Sequence, residues 1–145
     1  MPNKSGFKRI LVAVDGSEVS LKAVEHASRI AKYEGASLSA LYVISTPGFE
    51  IEGNIADYYE QARRPAKKWM KEVENAAAAH GMTVRTEILV GALSVIDAIL
   101  GYAENQSIDL IVTGHRGMTQ SRKLLLGSVA AGLVEYAQCP VLMIR

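Results

Sequence analysis

The chain has 145 residues, enough for one domain and too few for two ordinary ones, so we expect a single domain over residues 1–145. Apolar residues make up 49% of the chain and charged residues 21%, a globular composition that excludes disordered, collagen-like and repeat-rich chains. Sixteen Lys and Arg against fifteen Asp and Glu give a net charge of +1, so no overall field favours nucleic acid or an acidic membrane surface.

Five short β-rich runs alternate with helical patterns along the chain. Ile10–Val14 and Leu110–Val112 contain no polar residue, which is typical of central strands covered on both faces. Because Ile10–Val14 is also too short for a signal-peptide core or a membrane span, we expect a cytoplasmic protein. The predicted strands are Lys8–Val14, Ser37–Ile44, Val84–Val90, Leu110–Thr113 and Val141–Ile144.

Amphipathic patterns predict a helix between each pair of consecutive strands. Gly35 is expected to stop the first helix, and Pro140 prevents the fourth from continuing into the last strand. Apolar residues recur three and four positions apart, as on the buried face of a helix. The apolar stripes run from Leu21 to Ala31, from Ala66 to Ala77 and from Ile96 to Ala103, and the fourth helix is expected from Ser128 to Ala137 with Val129, Leu133 and Tyr136 inward.

This alternation predicts an α/β fold, an open doubly wound five-stranded parallel sheet with helices on both faces. Ligands of such sheets bind beyond the carboxyl ends of the strands, in the loops that lead from strand to helix. Two of these loops are long, Ser45–Ile55 and Gly114–Gly127. Since loops of this length are usually functional, we expect a ligand site there.

The second long loop carries glycines at positions suited to phosphate binding. Gly114 and Gly117 let the chain leave the strand with its amides exposed, and neither has a Cβ that would block a phosphate. Gly127 is expected to act in the same way at a positive φ, and Ser128 occupies an N-cap position at the positive end of a helix dipole. Taken singly, these residues are more typical of a simple strand end and helix cap than of a ligand site. Their spacing favours a polyphosphate site.

The same four residues also carry a resemblance to a known family. Gly, two residues, Gly, nine residues and Gly-Ser is the signature of the ATP-binding branch of the universal stress protein family, and this chain resembles it without a gap. The resemblance implies a Rossmann-like fold of the adenine-nucleotide-binding type. It extends over Ile10–Val14 with Asp15-Gly16-Ser17, Leu41–Ile44, Asp109–Gly117 and Cys139–Ile144, which is essentially the whole chain.

The resemblance further implies a ligand, an assembly and a set of site residues. The ligand is ATP, with Mg²⁺ held through its phosphates, and the assembly is a homodimer joined through Val141–Ile144. Adenine and ribose would be bordered by Ala13, Val14 and Asp15, with Val43 against the adenine. Ribose and phosphates would be surrounded by Thr113, Gly114, Arg116 and Gly117 together with Gly127, Ser128, Val129 and Ala130.

Some polar and aromatic residues have a second interpretation from position alone. Asp15 follows the first strand, where a carboxylate can accept hydrogen bonds from ribose or hold a water on a phosphate-bound magnesium, or can cap the next helix instead. Arg116, Arg122 and Lys123 make the long loop basic; Arg116 is expected near phosphate, although loop cations are commonly just solvated. Trp69 is expected in the core rather than in a cofactor site.

We interpret the chain as an ATP-binding regulatory module of the stress response whose nucleotide state controls conformation or the choice of a protein partner. The alternative is a slow ATP-hydrolysing enzyme, for which the neighbourhood offers only Asp15, His115 and Arg116 and no Walker-type loop. A phosphorylation receiver would use Asp15 and Thr113, but the adjacent acidic pair and the lysine after the last strand are missing. A purely structural module would carry no nucleotide. The single Cys139 predicts neither an intrachain disulfide nor a thiolate metal cluster.

Overall fold

The structure, a computed structural model, describes residues 6–47, 53–116 and 126–145. Over these residues the chain forms five strands and four helices in strict alternation, as the sequence predicts. The elements in chain order are β1 (Arg9–Ala13), α1 (Glu18–Glu34), β2 (Ser37–Ser45), α2 (Ile55–Ala78), β3 (Val84–Ala92), α3 (Val95–Asn105), β4 (Leu110–Gly114), α4 (Ser128–Tyr136) and β5 (Val141–Ile144).

All neighbouring strands are parallel, and their order across the sheet is β3-β2-β1-β4-β5. The predicted central strands are confirmed, because β1 lies between β2 and β4, and Leu11 and Ile111 are completely buried. The strand order reverses direction at β1, since β2 lies on one side of it and β4 on the other. In an open α/β sheet a crevice forms beyond the carboxyl ends of the strands at such a reversal.

Helices cover both faces of the sheet, as predicted. Because side chains alternate along a strand, Ile10 and Val12 of β1 belong to one apolar cluster and Leu11 belongs to the other. The first cluster contains the buried residues of α1 and α2, and the second contains those of α3 and α4, including the completely buried Leu133. None of the helices in the described part of the chain combines the length and the apolar character of a membrane span.

The ends of α1 follow the expected chemistry. Ser17 caps its N-terminus, where the hydroxyl oxygen accepts a hydrogen bond from the backbone N–H of Ser20 at 3.1 Å. Gly35 ends the helix at φ 70°, the left-handed conformation that glycine adopts without strain. The predicted stop at Gly35 is therefore confirmed.

Helix α2 extends beyond its apolar stripe, and one expectation about α4 is wrong. Helix α2 begins at Ile55, well before the apolar stripe that starts at Ala66, and it runs through Pro65. Its cap is Asn54, whose side-chain oxygen accepts from Ala56 N–H at 2.8 Å. Tyr136 does not face inward and is 64% exposed, because the helix ends at this residue and the chain turns away.

Candidate functional site

A cavity of about 430 Å³ opens at the carboxyl ends of β1, β2 and β4, bordered by α3 and the N-terminus of α4. This volume falls in the range of about 300–1,000 Å³ that is usual for small-molecule sites. The structure brings the predicted site residues together around it, except Gly117, which lies outside the described residues. The predicted residues that line the cavity are Ala13, Val14, Asp15, Val43, Thr113, Gly114, Arg116, Gly127, Ser128, Val129 and Ala130.

The cavity also has walls that the sequence reasoning missed. They come from α1, from the middle and end of β2, and from α3. The apolar residues of α3 could have been suspected, since they lie at a helical spacing of four, but that spacing is equally typical of a core. The lining residues that were not among the predicted binding residues are Ser20, Leu41, Tyr42, Ser45, Val95, Ile99 and His115.

One end of the cavity is apolar. Ala13 and Val43 are each 8% exposed and Leu41 only 1%, and all three belong to the core cluster beneath α3 and α4. Ile99 of α3 belongs to the same cluster and also lines the cavity. These side chains offer carbon surface and no charge, so this end suits a flat apolar group such as an aromatic ring.

Another part of the lining comes from the N-terminus of α4. The N-cap is Gly127 rather than Ser128, and no side chain in the described part of the chain caps the helix. Ser128 is the first helical residue and is exposed, so its predicted capping role is wrong. The first amides of a helix have no intrahelical acceptor and carry the positive end of the helix dipole. This part of the cavity therefore suits an anion.

The glycines of this loop do not all act as expected. Gly127 has a φ of −68°, so the expected positive φ is wrong and other residues can adopt its conformation. At Gly114, an ideal Cβ would lie 2.6 Å from Cγ1 of Val19. Gly114 is thus required by the close approach of α1, whatever binds in the cavity.

His115 and Arg116 bring two buried nitrogen atoms to the cavity. Nδ1 of His115 and Nε of Arg116 are inaccessible to solvent and have no hydrogen-bond partner among the described residues. A buried polar atom left unpaired costs about 1–3 kcal/mol. The Arg116 guanidinium is a cation with N–H donors only, so its place in the cavity lining favours an anionic ligand.

Asp15 lies at a position that fits both of its predicted roles. Its Oδ1 accepts a hydrogen bond from the backbone N–H of Ser17 at 3.0 Å, which shapes the turn into α1. The residue also lines the cavity at the carboxyl end of β1. Asp15 therefore stabilises the turn before α1 and also lies at the cavity.

An aromatic pair supports the wall behind Asp15. The rings of Tyr42 and Trp69 meet edge to face, with centroids 4.8 Å apart. Trp69 packs against the core cluster beneath α1 and α2, as expected. Gly16 has a φ of 85°, and a Cβ there would lie 3.0 Å from Trp69 Nε1. The turn after Asp15 therefore needs glycine for its conformation and for the close packing of this indole.

The phenol of Tyr42 should titrate at unusually high pH. Burial raises the pKa of Tyr42 above its ordinary value of 10.0, and the charges of Asp15 and Tyr58 raise it further. The folded chain then holds this proton more tightly than the unfolded chain does, so the stability contribution is full below pH of about 10 and is lost as the pH rises through the folded pKa. Spectrophotometric titration of the tyrosines should show a late phase that Tyr42→Phe removes. The matched change Tyr33→Phe, at a ring 90% exposed, should leave that phase in place; an unchanged late phase in Tyr42→Phe would contradict the assignment.

No group of His, Cys, Asp and Glu side chains in residues 6–47, 53–116 and 126–145 is arranged to hold a metal ion. Among the described residues that line this cavity, Asp15 is the one carboxylate. A carboxylate can bind a water molecule of a divalent cation.

Comparison with known proteins gives a consistent picture. The sequence profile of the universal stress protein family matches residues 6–145. A universal stress protein of Methanocaldococcus jannaschii is 36% identical over 142 residues, covering 96% of this chain and 82% of the relative. One from Bacillus subtilis is 33% identical over 149 residues, covering 96% and 99%.

Solved structures agree with the fold. The universal stress protein UspA of Lactobacillus plantarum superimposes with a TM-score of 0.86 at 28% identity, covering 98% of this chain and all of that one. A universal stress protein in complex with cAMP gives a TM-score of 0.74 at 27% identity, covering 97% and 98%. One from Archaeoglobus fulgidus in complex with dAMP gives 0.68 at 25% identity, covering 96% and 98%. By sequence and by fold, the chain belongs to the universal stress protein family.

Proposed function

We propose that this protein is a cytoplasmic ATP-binding regulatory module of the stress response, in which bound nucleotide controls conformation or the binding of a protein partner. The observation that carries the proposal is the polarity of the cavity. It joins apolar side chains to a helix N-terminus and to two buried nitrogen atoms, and among the described residues that N-terminus has no side-chain cap and the two nitrogen atoms have no hydrogen-bond partner. A nucleotide has the same polarity, with a flat base at one end and phosphate at the other. Relatives in complex with cAMP and dAMP support an adenine nucleotide as the ligand.

Each part of the cavity then has a role. Ala13, Val14 and Val43 would lie against adenine, and Asp15 against the ribose hydroxyls. The amides that begin α4 and the Arg116 guanidinium would hold the phosphates. Gly117 and Thr113 complete the predicted set near the ribose and phosphates. Mg²⁺ would bind through the phosphates and neutralise part of their charge.

The test is how the affinity for a nucleotide depends on its number of phosphates. A hydrogen bond to a charged group contributes about 1.5–3 kcal/mol, so each phosphate that meets donors at α4 and Arg116 should strengthen binding by about tenfold or more. Calorimetry with ATP, AMP and cAMP in magnesium should therefore rank ATP first. Mass analysis of the ligand released by acid from freshly purified protein should identify the same nucleotide. Equal or tighter binding of AMP would defeat the assignment to ATP, and no binding of any of the three would defeat the nucleotide site.

His115 supplies a physical link between the cavity and the edge of the sheet. Its backbone N–H donates to Ile144 O of β5 at 2.8 Å, and its carbonyl oxygen accepts from Gly127 N–H at 2.6 Å. One residue thus joins the cavity, the start of α4 and the edge strand β5. A ligand that shifts His115 would therefore also shift β5, which supports a regulatory role.

We also propose that β5 joins two copies of the chain. In the described residues β5 pairs with β4 on one side and forms an edge of the sheet on the other. Met143 of this strand is 38% exposed. An edge strand with exposed apolar side chains favours pairing with another chain, and the same strand of a second copy supplies a matching edge.

Slow ATP hydrolysis is the second candidate, and His115 is the residue that favours it. Backbone amides that bind ground state and transition state equally do not lower the barrier. We therefore expect single-turnover hydrolysis far slower than the roughly 10 s⁻¹ typical of enzymes, both in the wild type and in His115→Ala. His26→Ala, on the exposed face of α1, is the matched control. A rate near that enzyme value that falls about a hundredfold in His115→Ala alone would make the protein an ATPase.

A further inference from the structure

A dense group of positive charges lies on one helix of this nearly neutral chain. Residues 63–71 of α2, between Glu60 and Glu72, contain five of the sixteen Lys and Arg and no acidic residue. The five are Arg63, Arg64, Lys67, Lys68 and Lys71. Outside this nine-residue stretch the chain has eleven Lys and Arg against fifteen Asp and Glu, four of which also lie in α2.

Three of these cations share one groove. Arg63, Lys67 and Lys71, spaced four residues apart, line a cavity of about 300 Å³ between α2 and β3. Its other wall includes Thr86 and Ile88, whose side chains lie on the α2 face of β3. The groove therefore combines a row of cations with a strand surface.

Glu74 also lines the groove, so the lining carries three cations and one carboxylate. Arg63 lies 3.8 Å from Glu60, and Lys71 lies 3.6 Å from Glu74. Both pairs are solvent-exposed, and pairs of this kind contribute little. Lys67 forms no ion pair with any residue that the structure describes.

The strand beside these cations is the outer edge of the sheet. β3 stands at one end of the strand order and has nine residues. Over the described part of the chain it pairs with β2 and with no other strand. Its outer N–H and C=O groups therefore offer a ladder to an extended peptide.

We infer that the groove between α2 and β3 binds an acidic extended segment of a partner protein, which adds to the edge of β3 as a further strand. Side chains two residues apart on a strand are separated by about 6.7 Å, and residues four apart on a helix rise by about 6 Å. The side chains of Lys and Arg are long and flexible, so they can compensate for this difference in spacing. Carboxylates at alternate positions of the segment therefore match the row of cations, and the backbone ladder supplies affinity that does not depend on sequence.

The test uses the full chain and labelled peptides followed by fluorescence anisotropy. The probe is an acetylated, amidated peptide of alternating glutamate and valine, and the comparison peptide has lysine at every glutamate position. We expect the glutamate peptide to bind and the lysine peptide not to. Replacing the central valine by proline should weaken binding at least tenfold, because proline lacks the N–H that a ladder needs.

Two charge reversals on the same helix locate the site. Lys67→Glu, inside the groove, should weaken binding of the glutamate peptide at least tenfold. Lys68→Glu makes the same change in net charge one residue away, outside the groove lining, and should change it less than twofold. Lys67 does not line the nucleotide cavity, so Lys67→Glu should bind ATP as tightly as the wild type. Failure of the peptide proposal can therefore be distinguished from failure of the proposed nucleotide site.

Three results would overturn the inference. Equal loss in Lys67→Glu and Lys68→Glu would reduce it to a general attraction between opposite charges. Unchanged affinity of the proline-containing peptide would exclude strand addition. Tighter binding of duplex DNA or of vesicles of anionic lipid than of the glutamate peptide would assign the cations to a different kind of partner.

Discussion

Replacing Ser128 with glutamate is expected to weaken ATP binding about a hundredfold while leaving the fold of α4 intact. Ser128 is exposed, is the first residue of α4 and lines the cavity, so a longer side chain meets no core. Two unit charges about 5 Å apart at an effective dielectric constant of about 20 repel by about 3 kcal/mol. The same carboxylate lies at the positive end of the helix dipole, where it stabilises the helix by about 0.3–1 kcal/mol.

The size of the new side chain is separated from its charge by Ser128→Gln. Glutamine has nearly the same shape as glutamate and no charge, so this variant should keep most of the affinity. Calorimetry with ATP and thermal unfolding of both variants provide the measurements. If Ser128→Glu binds ATP as tightly as the wild type, the N-terminus of α4 does not hold the phosphates. If the two variants lose affinity equally, the loss comes from bulk.

Substitution of Ser128 tests phosphate binding more directly than substitution of Gly114 or Gly127. A substitution at Gly114 would collide with Val19 and disturb the packing of α1 against β4, so lost binding could reflect a damaged fold. Gly127 has an ordinary φ, so strain cannot be the reason for a glycine there. The sequence pattern indicates where the site lies, and the structure shows that fold and ligand share its residues.

The fold could be predicted because its strongest signals are local. The polar-free runs in β1 and β4 identify central strands, and a helix stop such as Gly35 follows from backbone sterics alone. The apolar stripe in the sequence marks only the second half of α2. Most of its residues before Ala66 are exposed, so no apolar stripe is visible there, and Pro65 suggests a boundary where the helix in fact continues.

The site was predictable only in part because its walls come from elements distant in the sequence. The glycine spacing lies in one loop and could be recognised, which located Arg116 and the start of α4. The apolar Val95 and Ile99 of α3 follow the same pattern as core residues and gave no separate signal. Their place at the cavity depends on the tertiary fold, in which α3 packs against β2 and α4.

The other large effect is expected at the edge of the sheet, where Met143→Lys should convert the proposed dimer into a monomer. A dimer joined by one strand from each copy is symmetric, so one substitution places two ammonium groups in the interface. Each loses hydration, and the like charges repel. Together these costs should weaken dimerisation at least about a hundredfold, equivalent to about 2.8 kcal/mol.

Leu89→Lys is the matched control for this change. Leu89 lies on β3, the opposite edge strand, and is 36% exposed against 38% for Met143. The two variants therefore add the same charge at equally exposed apolar positions and differ only in the edge that carries it. Light scattering at roughly tens of micromolar, well above the dissociation constant of a dimer with about micromolar affinity, should give a dimer for the wild type and Leu89→Lys and a monomer for Met143→Lys. A monomeric wild type would rule out the dimer at these concentrations. Dissociation by Leu89→Lys instead would move the interface to β3 and remove the free edge on which strand addition depends.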